Sequence, residues 1–289
     1  MARVQVEGLT LGYELIGEGD QRWVITPGGR FSKDSAGVRQ LAEALAAHGK
    51  HVLIWDRPNC GESDVCFDGV SESDMHAHAL AGLLRVLDVA PAVLVGGSAG
   101  SRVSLVTAAK QPELVCGLAT LWISGGVYGL MNLANYYCAN SLRVAWTEGM
   151  EAVAGLPDWA EVIERNPSNR ERFVAQDRQE FIATFERWMS VYYPRPGEVV
   201  PGLSAEVAST IKAPTLVYRS GQSDCWHPRA TSEALAEMIP EARLVEPPWP
   251  DTEWYDGWLR RLEGRQASPW EHWPLLAPSL LEWARDILP

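Results

Sequence analysis

Val93-Leu94-Val95-Gly96-Gly97-Ser98-Ala99-Gly100 is an apolar, β-branched run that stops at a Gly-x-Ser-x-Gly pentapeptide. Helix-compatible sequence follows at once, from Ser101 to Ala109. A strand that turns directly into a helix lifts the side chain at the turn above the sheet edge, so the pattern predicts a nucleophile elbow with Ser98 at its tip. The glycines serve the geometry. The serine backbone is strained there, and the residues two before and two after it must be tiny to let the two arms pass. The helix starting beneath it aims unpaired N–H groups, and the positive end of its dipole, at any oxyanion that forms. Five common residues carry little weight alone; the strand before and the helix after supply the context.

The flanking sequence has the matching rhythm. Residues 3–16 alternate apolar and polar around Glu7-Gly8, as in an antiparallel hairpin. The buried-looking strands Trp23–Thr26 and Val52–Trp55 are each followed by helical sequence, the first from Ser35 to Ala47 and the second opening at the capping residue Ser71. After the elbow come the strand Gly117–Trp122, the strand Thr215–Tyr218, the helix Pro228–Met238, the strand Arg243–Glu246 and a closing helix Ser279–Leu288. Short apolar strands interleaved with helices predict an α/β fold with a parallel sheet covered on both faces. Residues 125–212 break the rhythm and look helical throughout, with periodic stretches at Leu130–Leu142, Asp158–Arg165 and Arg170–Tyr193. They read as a helical cap over the C-terminal sheet edge, where open α/β sheets bind ligands. The expected division is a core of 1–124 and 213–289 with a cap of 125–212.

Composition narrows the classes. A formal net charge of −12 argues against nucleic acid as a partner. Five scattered cysteines fit no zinc spacing and read as reduced thiols of a cytoplasmic protein. The first residues alternate like a strand and lack the apolar core of a signal peptide, and no run approaches membrane-spanning length. A small-molecule substrate, no metal and no organic cofactor are expected. The oligomeric state stays open, a homodimer included.

A serine hydroxyl needs a base to take its proton and an acid to orient that base. In this architecture the chain order is serine, acid, histidine. Asp224, on the loop after Thr215–Tyr218, stands where the acid belongs; capping the helix at Pro228 is its competing role. His272, after the last strand and before the last helix, stands where the base belongs. His227 is the alternative, set back because it lies so close to Asp224, and a packed residue in a tryptophan-rich loop is the competing role for His272. His48, His51, His76 and His78 all precede the serine. The oxyanion donors expected are the N–H groups of Ala99 and of Gly29, in the loop Thr26-Pro27-Gly28-Gly29-Arg30-Phe31. Arg30 enters the pocket or is simply solvated.

With these residues in place the chain resembles the α/β-hydrolase superfamily over residues 8–123 and 213–288, and Asp56-Arg57-Pro58-Asn59-Cys60-Gly61-Glu62-Ser63-Asp64 is similar to its loop after the second parallel strand. The resemblance implies a mostly parallel eight-stranded sheet with helices on both faces and an inserted cap. Trp273, directly after His272, adds a likeness to meta-cleavage-product hydrolases and small esterases, and is a candidate substrate contact. Three positions depart from the pattern: Pro27 replaces the usual histidine before the oxyanion glycines, Glu271 the usual glycine before the base, and Gly97 the asparagine of the meta-cleavage enzymes. A long insertion through Asp251–Trp270 precedes His272, and Trp249, Trp254, Trp258, Trp270 and Trp273 crowd there. They either wall an aromatic pocket or form a satellite core.

The expectation is a serine hydrolase in which Ser98 attacks, His272 shuttles the proton, Asp224 orients it and Gly29 and Ala99 hold the oxyanion. An ester of a bulky, aromatic small molecule is the expected substrate. Carbon–carbon bond hydrolysis of a meta-cleavage product is the alternative and would need a cation for the carboxylate, from Arg30, Arg178 or Arg187. A lyase, a cofactor-free oxygenase or a ligand-binding receptor on the same fold are the remaining options.

Overall fold

The computed structural model describes residues 2–263 and 268–288. β1 (Ala2–Val6) and β2 (Leu9–Ile16) form the expected hairpin, turning through Glu7 and Gly8, both at positive φ. β3 (Gln21–Thr26) leads to α1 (Val38–Ala46), and β4 (Lys50–Trp55) leads to α2 (Glu72–Val86), whose N-terminus is capped by the Ser71 hydroxyl accepting from the Asp74 N–H. β5 (Ala92–Gly97) runs through Ser98 into α3 (Ala99–Lys110), and β6 (Val115–Leu121) follows.

The long insertion then departs from the sheet. It comprises α4 (Val127–Ala134), a π-helical turn at Asn135–Ala139, α5 (Asn140–Thr147), α6 (Met150–Ala154), α7 (Pro157–Arg165), α8 (Ser168–Val174) and α9 (Arg178–Ser190). It is not helical throughout. β7 (Glu198–Val200) and β8 (Leu203–Ser204) pair antiparallel before α10 (Ala205–Ala208). Pro201-Gly202 makes the turn between them, with Gly202 at φ +79°, a left-handed conformation that costs glycine nothing. The chain returns to the sheet with β9 (Thr215–Tyr218), α11 (Arg229–Met238) and β10 (Arg243–Val245), and ends with α12 (Glu253–Leu262) and α13 (Ala277–Ile287).

The eight-stranded sheet runs β1-β2-β4-β3-β5-β6-β9-β10, antiparallel across β1, β2 and β4 and parallel from β4 onward. Its two faces are covered by different side chains of the same strands, as a period of two requires. β5 sends Val93 and Val95 into the layer with Leu41 and Leu280, and Leu94 into the layer with Leu80 and Val103. Each fully buried Val or Leu of this kind contributes roughly 1.5–3 kcal/mol. The insertion has a core of its own, with Trp159, Phe173, Phe181 and Phe185 gathered around Phe67, and Ala99 of the elbow packs into it. That contact seats the insertion over the C-terminal end of β5, where Ser98 stands.

Candidate active site

Ser98 adopts φ 54° and ψ −115°, a strained backbone for a residue with a side chain. The turn survives because Gly96 and Gly100 lie against each other: a Cβ on Gly96 would overlap the Gly100 carbonyl, and one on Gly100 would overlap that of Thr26. The Ser98 N–H donates to the Leu121 carbonyl at 3.0 Å, which fixes the elbow to β6.

The hydroxyl of Ser98 lies 2.9 Å from Nε2 of His227, and Nδ1 of His227 lies 2.9 Å from Oδ2 of Asp224. All three residues are at most 4% exposed. The acid is acceptor-only when ionised, so the Nδ1–H donates to it and Nε2 is left to accept the serine proton; the network assigns this tautomer. The other carboxylate oxygen, Oδ1, accepts the backbone N–H groups of Trp226 at 3.0 Å and His227 at 2.9 Å. Asp224 thus folds its own loop into a turn, and the turn swings the imidazole three residues on back over the same carboxylate.

His272 stands elsewhere, contrary to the expectation. Its Nδ1 bonds Glu253 Oε1 at 2.8 Å and its side chain is 42% exposed. The insertion is the reason. Helix α12 brings Trp254 against His227, and His227 holds the position next to Asp224.

Two further expectations are corrected. Arg30 is half-buried but turned away from the cavity: its guanidinium bonds Glu72 Oε1 at 3.3 Å and the Tyr137 carbonyl at 2.9 Å, and lies 4.1 Å from the Trp159 ring centroid. It ties the core to the insertion. The Glu72 carboxyl, raised by burial, is brought below its ordinary range chiefly by Arg30. Trp273 is fully buried in the layer with Leu41 and Leu280, where its ring fills the room a side chain at position 97 would need. Gly97 is glycine for that reason. Arg178 bonds the carbonyls of Ala145 and Trp146, and Arg187 those of Gly69 and the Thr184 hydroxyl, so neither reaches the cavity.

The cavity above Ser98 has a volume of about 170 Å³, close to the roughly 150 Å³ of an engineered apolar cavity that accepts benzene. Ser98, His227 and Gly29 form its floor, and Trp226, Trp254 and Trp270 its wall. Ala99 opens α3 directly after Ser98, so its N–H is one of those with no intrahelical partner. No lysine or arginine lines the cavity among the described residues. Of the crowded tryptophans, Trp254, Trp258 and Trp270 face the cavity, whereas Trp249 and Trp273 are packed beneath it. Sequence reasoning passed over Trp226, which lies between the acid and His227, and Tyr136 and Tyr137 on the π-helical turn. A π turn adds a residue to a helical turn and is common at functional sites; nothing in the local sequence marks it. Among the described residues, no group of three or more His, Cys, Asp or Glu could hold a metal ion, and no helix is long and apolar enough to cross a membrane.

The comparisons agree with this architecture. Residues 24–124 match the family described as "alpha/beta hydrolase fold". The chain is 33% identical over 122 residues to a 2-hydroxy-6-oxononadienedioate/2-hydroxy-6-oxononatrienedioate hydrolase of Burkholderia vietnamiensis, a match that spans 42% of each protein. It is 31% identical over 126 residues to the protein of the same description from Escherichia coli, spanning 43% of each. The match therefore covers under half the length of these curated relatives. Among solved structures, a thermophilic esterase from Thermogutta terrifontis superposes with a TM-score of 0.64 at 23% identity, over 99% of both chains. A meta-cleavage product hydrolase from Pseudomonas fluorescens does so with a TM-score of 0.61 at 19% identity, over 99% of this chain and 98% of that one.

Proposed function

From a chain with the α/β-hydrolase fold, we propose a serine hydrolase that cleaves esters of hydrophobic, aromatic small molecules through an acyl-enzyme. The observation that carries the reading is the run of two 2.9 Å hydrogen bonds from Ser98 through His227 to Asp224, at the floor of an apolar cavity. In this reading His227 Nε2 takes the Ser98 proton as the oxygen attacks the ester carbonyl, and Asp224 stabilises the imidazolium that forms. The N–H groups of Gly29 and Ala99 receive the oxyanion. His227 then gives its proton to the leaving alkoxide, and water enters by the same route in reverse to release the acid. The cavity admits about one aromatic ring, and its wall of tryptophans favours a flat, apolar group.

Carbon–carbon hydrolysis of a 2-hydroxy-6-oxo-dienoate is the second reading, favoured by the names of the curated relatives. Its substrate carries a carboxylate, which in a dry cavity calls for a cation, and none lines this one among the described residues. That weighs for the ester. The test is a fluorophosphonate probe with mapping of the labelled peptide, followed by an aryl ester assayed beside the dienoate. Ser98 is expected to carry the label. A catalytic efficiency at least about tenfold higher on the dienoate, some 1.4 kcal/mol in barrier, would reverse the choice.

A further inference from the structure

Arg57 follows β4 and is fully buried, 1% exposed. A single nitrogen of its guanidinium, Nη2, donates to three carbonyls of one loop: Gly28 at 3.1 Å, Gly29 at 2.8 Å and Phe31 at 3.3 Å. Its Nε and Nη1 have no hydrogen-bond partner, and no carboxylate forms an ion pair with it, among the described residues. Burying a guanidinium is costly unless its donors and its charge are matched. The three carbonyls are its hydrogen-bond acceptors among the described residues, while the Glu72 carboxylate lies near enough to feel its charge, so the loop and the arginine depend on each other.

The consequence follows from peptide geometry. In a trans peptide the C=O and N–H of one unit point in opposite directions. Gly28 C=O and Gly29 N–H share a unit, as do Gly29 C=O and Arg30 N–H. Turning both carbonyls onto Arg57 turns both N–H groups away from it. Ser98 lies close to this loop: the Gly28 backbone approaches so near that a Cβ there would fall 2.7 Å from the Ser98 Cβ, and Gly29 lines the cavity with Ser98. We propose that Arg57 is the positioning residue of the oxyanion site, fixing the Gly29 N–H towards the carbonyl oxygen of the substrate and setting a permanent positive charge behind that peptide. The charge polarises the peptide so that its N–H is a stronger donor to a negative oxygen than to a neutral one. Arg57 touches neither substrate nor nucleophile. It acts through the loop alone, and this role rests on the serine-hydrolase reading above.

The test compares wild type, Arg57→Gln and Arg57→Lys on an aryl acetate and on an arylboronic acid, whose tetrahedral adduct on Ser98 is anionic and places one of its oxygens in the site. In Arg57→Gln, kcat is expected to fall about 100-fold, the scale of losing one oxyanion donor, with KM within about threefold of wild type. Boronate affinity should fall in step, and Arg57→Lys, which keeps the charge, should lie between. A folded Arg57→Gln with kcat and boronate affinity within about threefold of wild type overturns the proposal, as does a loss of kcat with unchanged boronate affinity. If neither variant folds, the measurement passes to wild type. The Gly29 amide proton must then move downfield on forming the boronate adduct, and an unmoved resonance overturns the proposal. Wild type that forms no adduct and cleaves no ester removes the hydrolase reading itself, and this role with it.

Discussion

Trp254 and His227 meet edge to face, with ring centroids 4.3 Å apart and planes at 85°. The indole comes from α12, so the helix inserted late in the chain forms one side of the imidazole's enclosure. This contact keeps His227 dry and leaves its ring one orientation, in line with both Asp224 and Ser98.

Replacing His227 by Ala should therefore abolish ester turnover, lowering kcat by three or more orders of magnitude, about the loss expected for Ser98→Ala. His272→Ala should keep kcat within about threefold of wild type, since that ring bonds Glu253 at 2.8 Å and is part-exposed. Parallel kinetics of the three variants decide the assignment, and a dead His272→Ala with a live His227→Ala would reverse it.

Trp254→Ala removes the partner of His227 and part of the cavity wall at once. An edge-to-face aromatic pair contributes roughly 0.5–1.5 kcal/mol beyond its buried area. KM for a phenyl ester should accordingly rise about tenfold, while KM for a short alkyl ester changes less than about twofold. Equal changes for both substrates would place the aromatic group elsewhere.

Gly97→Ala tests why glycine precedes Ser98. The new Cβ would collide with Trp273 Cζ2, and overpacking of this kind costs about 1–3 kcal/mol. Urea unfolding should register that loss in the single variant and recover most of it in Gly97→Ala combined with Trp273→Phe.

Glu72→Gln leaves the Arg30 guanidinium buried without its carboxylate, a change that costs about 3–5 kcal/mol. The remaining folded protein should show an unchanged KM for esters, because Arg30 faces the insertion and not the cavity. A raised KM at constant kcat would return Arg30 to the substrate.

Stability should also depend on pH through His76. Its Nε2 lies 2.8 Å from the Pro58 carbonyl, and burial pushes its pKa down to about 3, against the pull of the nearby Glu72 carboxylate. The folded pKa is depressed relative to about 6.5 in the unfolded chain. Below that value the unfolded state binds a proton that the folded state refuses, so stability falls as pH drops from about 6.5 towards 3. The slope is about 1.4 kcal/mol per pH unit. Urea midpoints between pH 6.5 and 5 should follow it in wild type, and His76→Gln should flatten the dependence.

The fold was legible because it is written in local signals. Val93 to Gly100 specify strand, turn and helix start in eight residues, and Ser71 marks a helix start by its own hydroxyl. Asp224 was legible from chain order alone. His227 was not, for a physical reason: a spacing of three residues looks too tight for acid and base, and only the two backbone bonds to Asp224 Oδ1 turn the chain sharply enough to bring the ring back. The clue available was Asp-x-x-His-Pro at a helix start, together with an insertion large enough to displace His272. The directions of Arg30 and Trp273 depended on packing between distant segments, which periodicity does not encode.

Asp224 and His227, the acid and base of the proposed triad, sit on one tight turn, and that alters what the rest of the chain is free to do. Only one long-range closure, Ser98 to His227, has to form for the reacting groups to assemble, so their loop-closure entropy is concentrated in a single contact. In the proposed triad no proton carrier is needed from beyond β10, and there Trp254, Trp258 and Trp270 supply walls to the cavity. Under this arrangement the C-terminal segment can be exchanged or randomised to change which molecules fit, while Ser98, Asp224 and His227 of the proposed triad stay untouched.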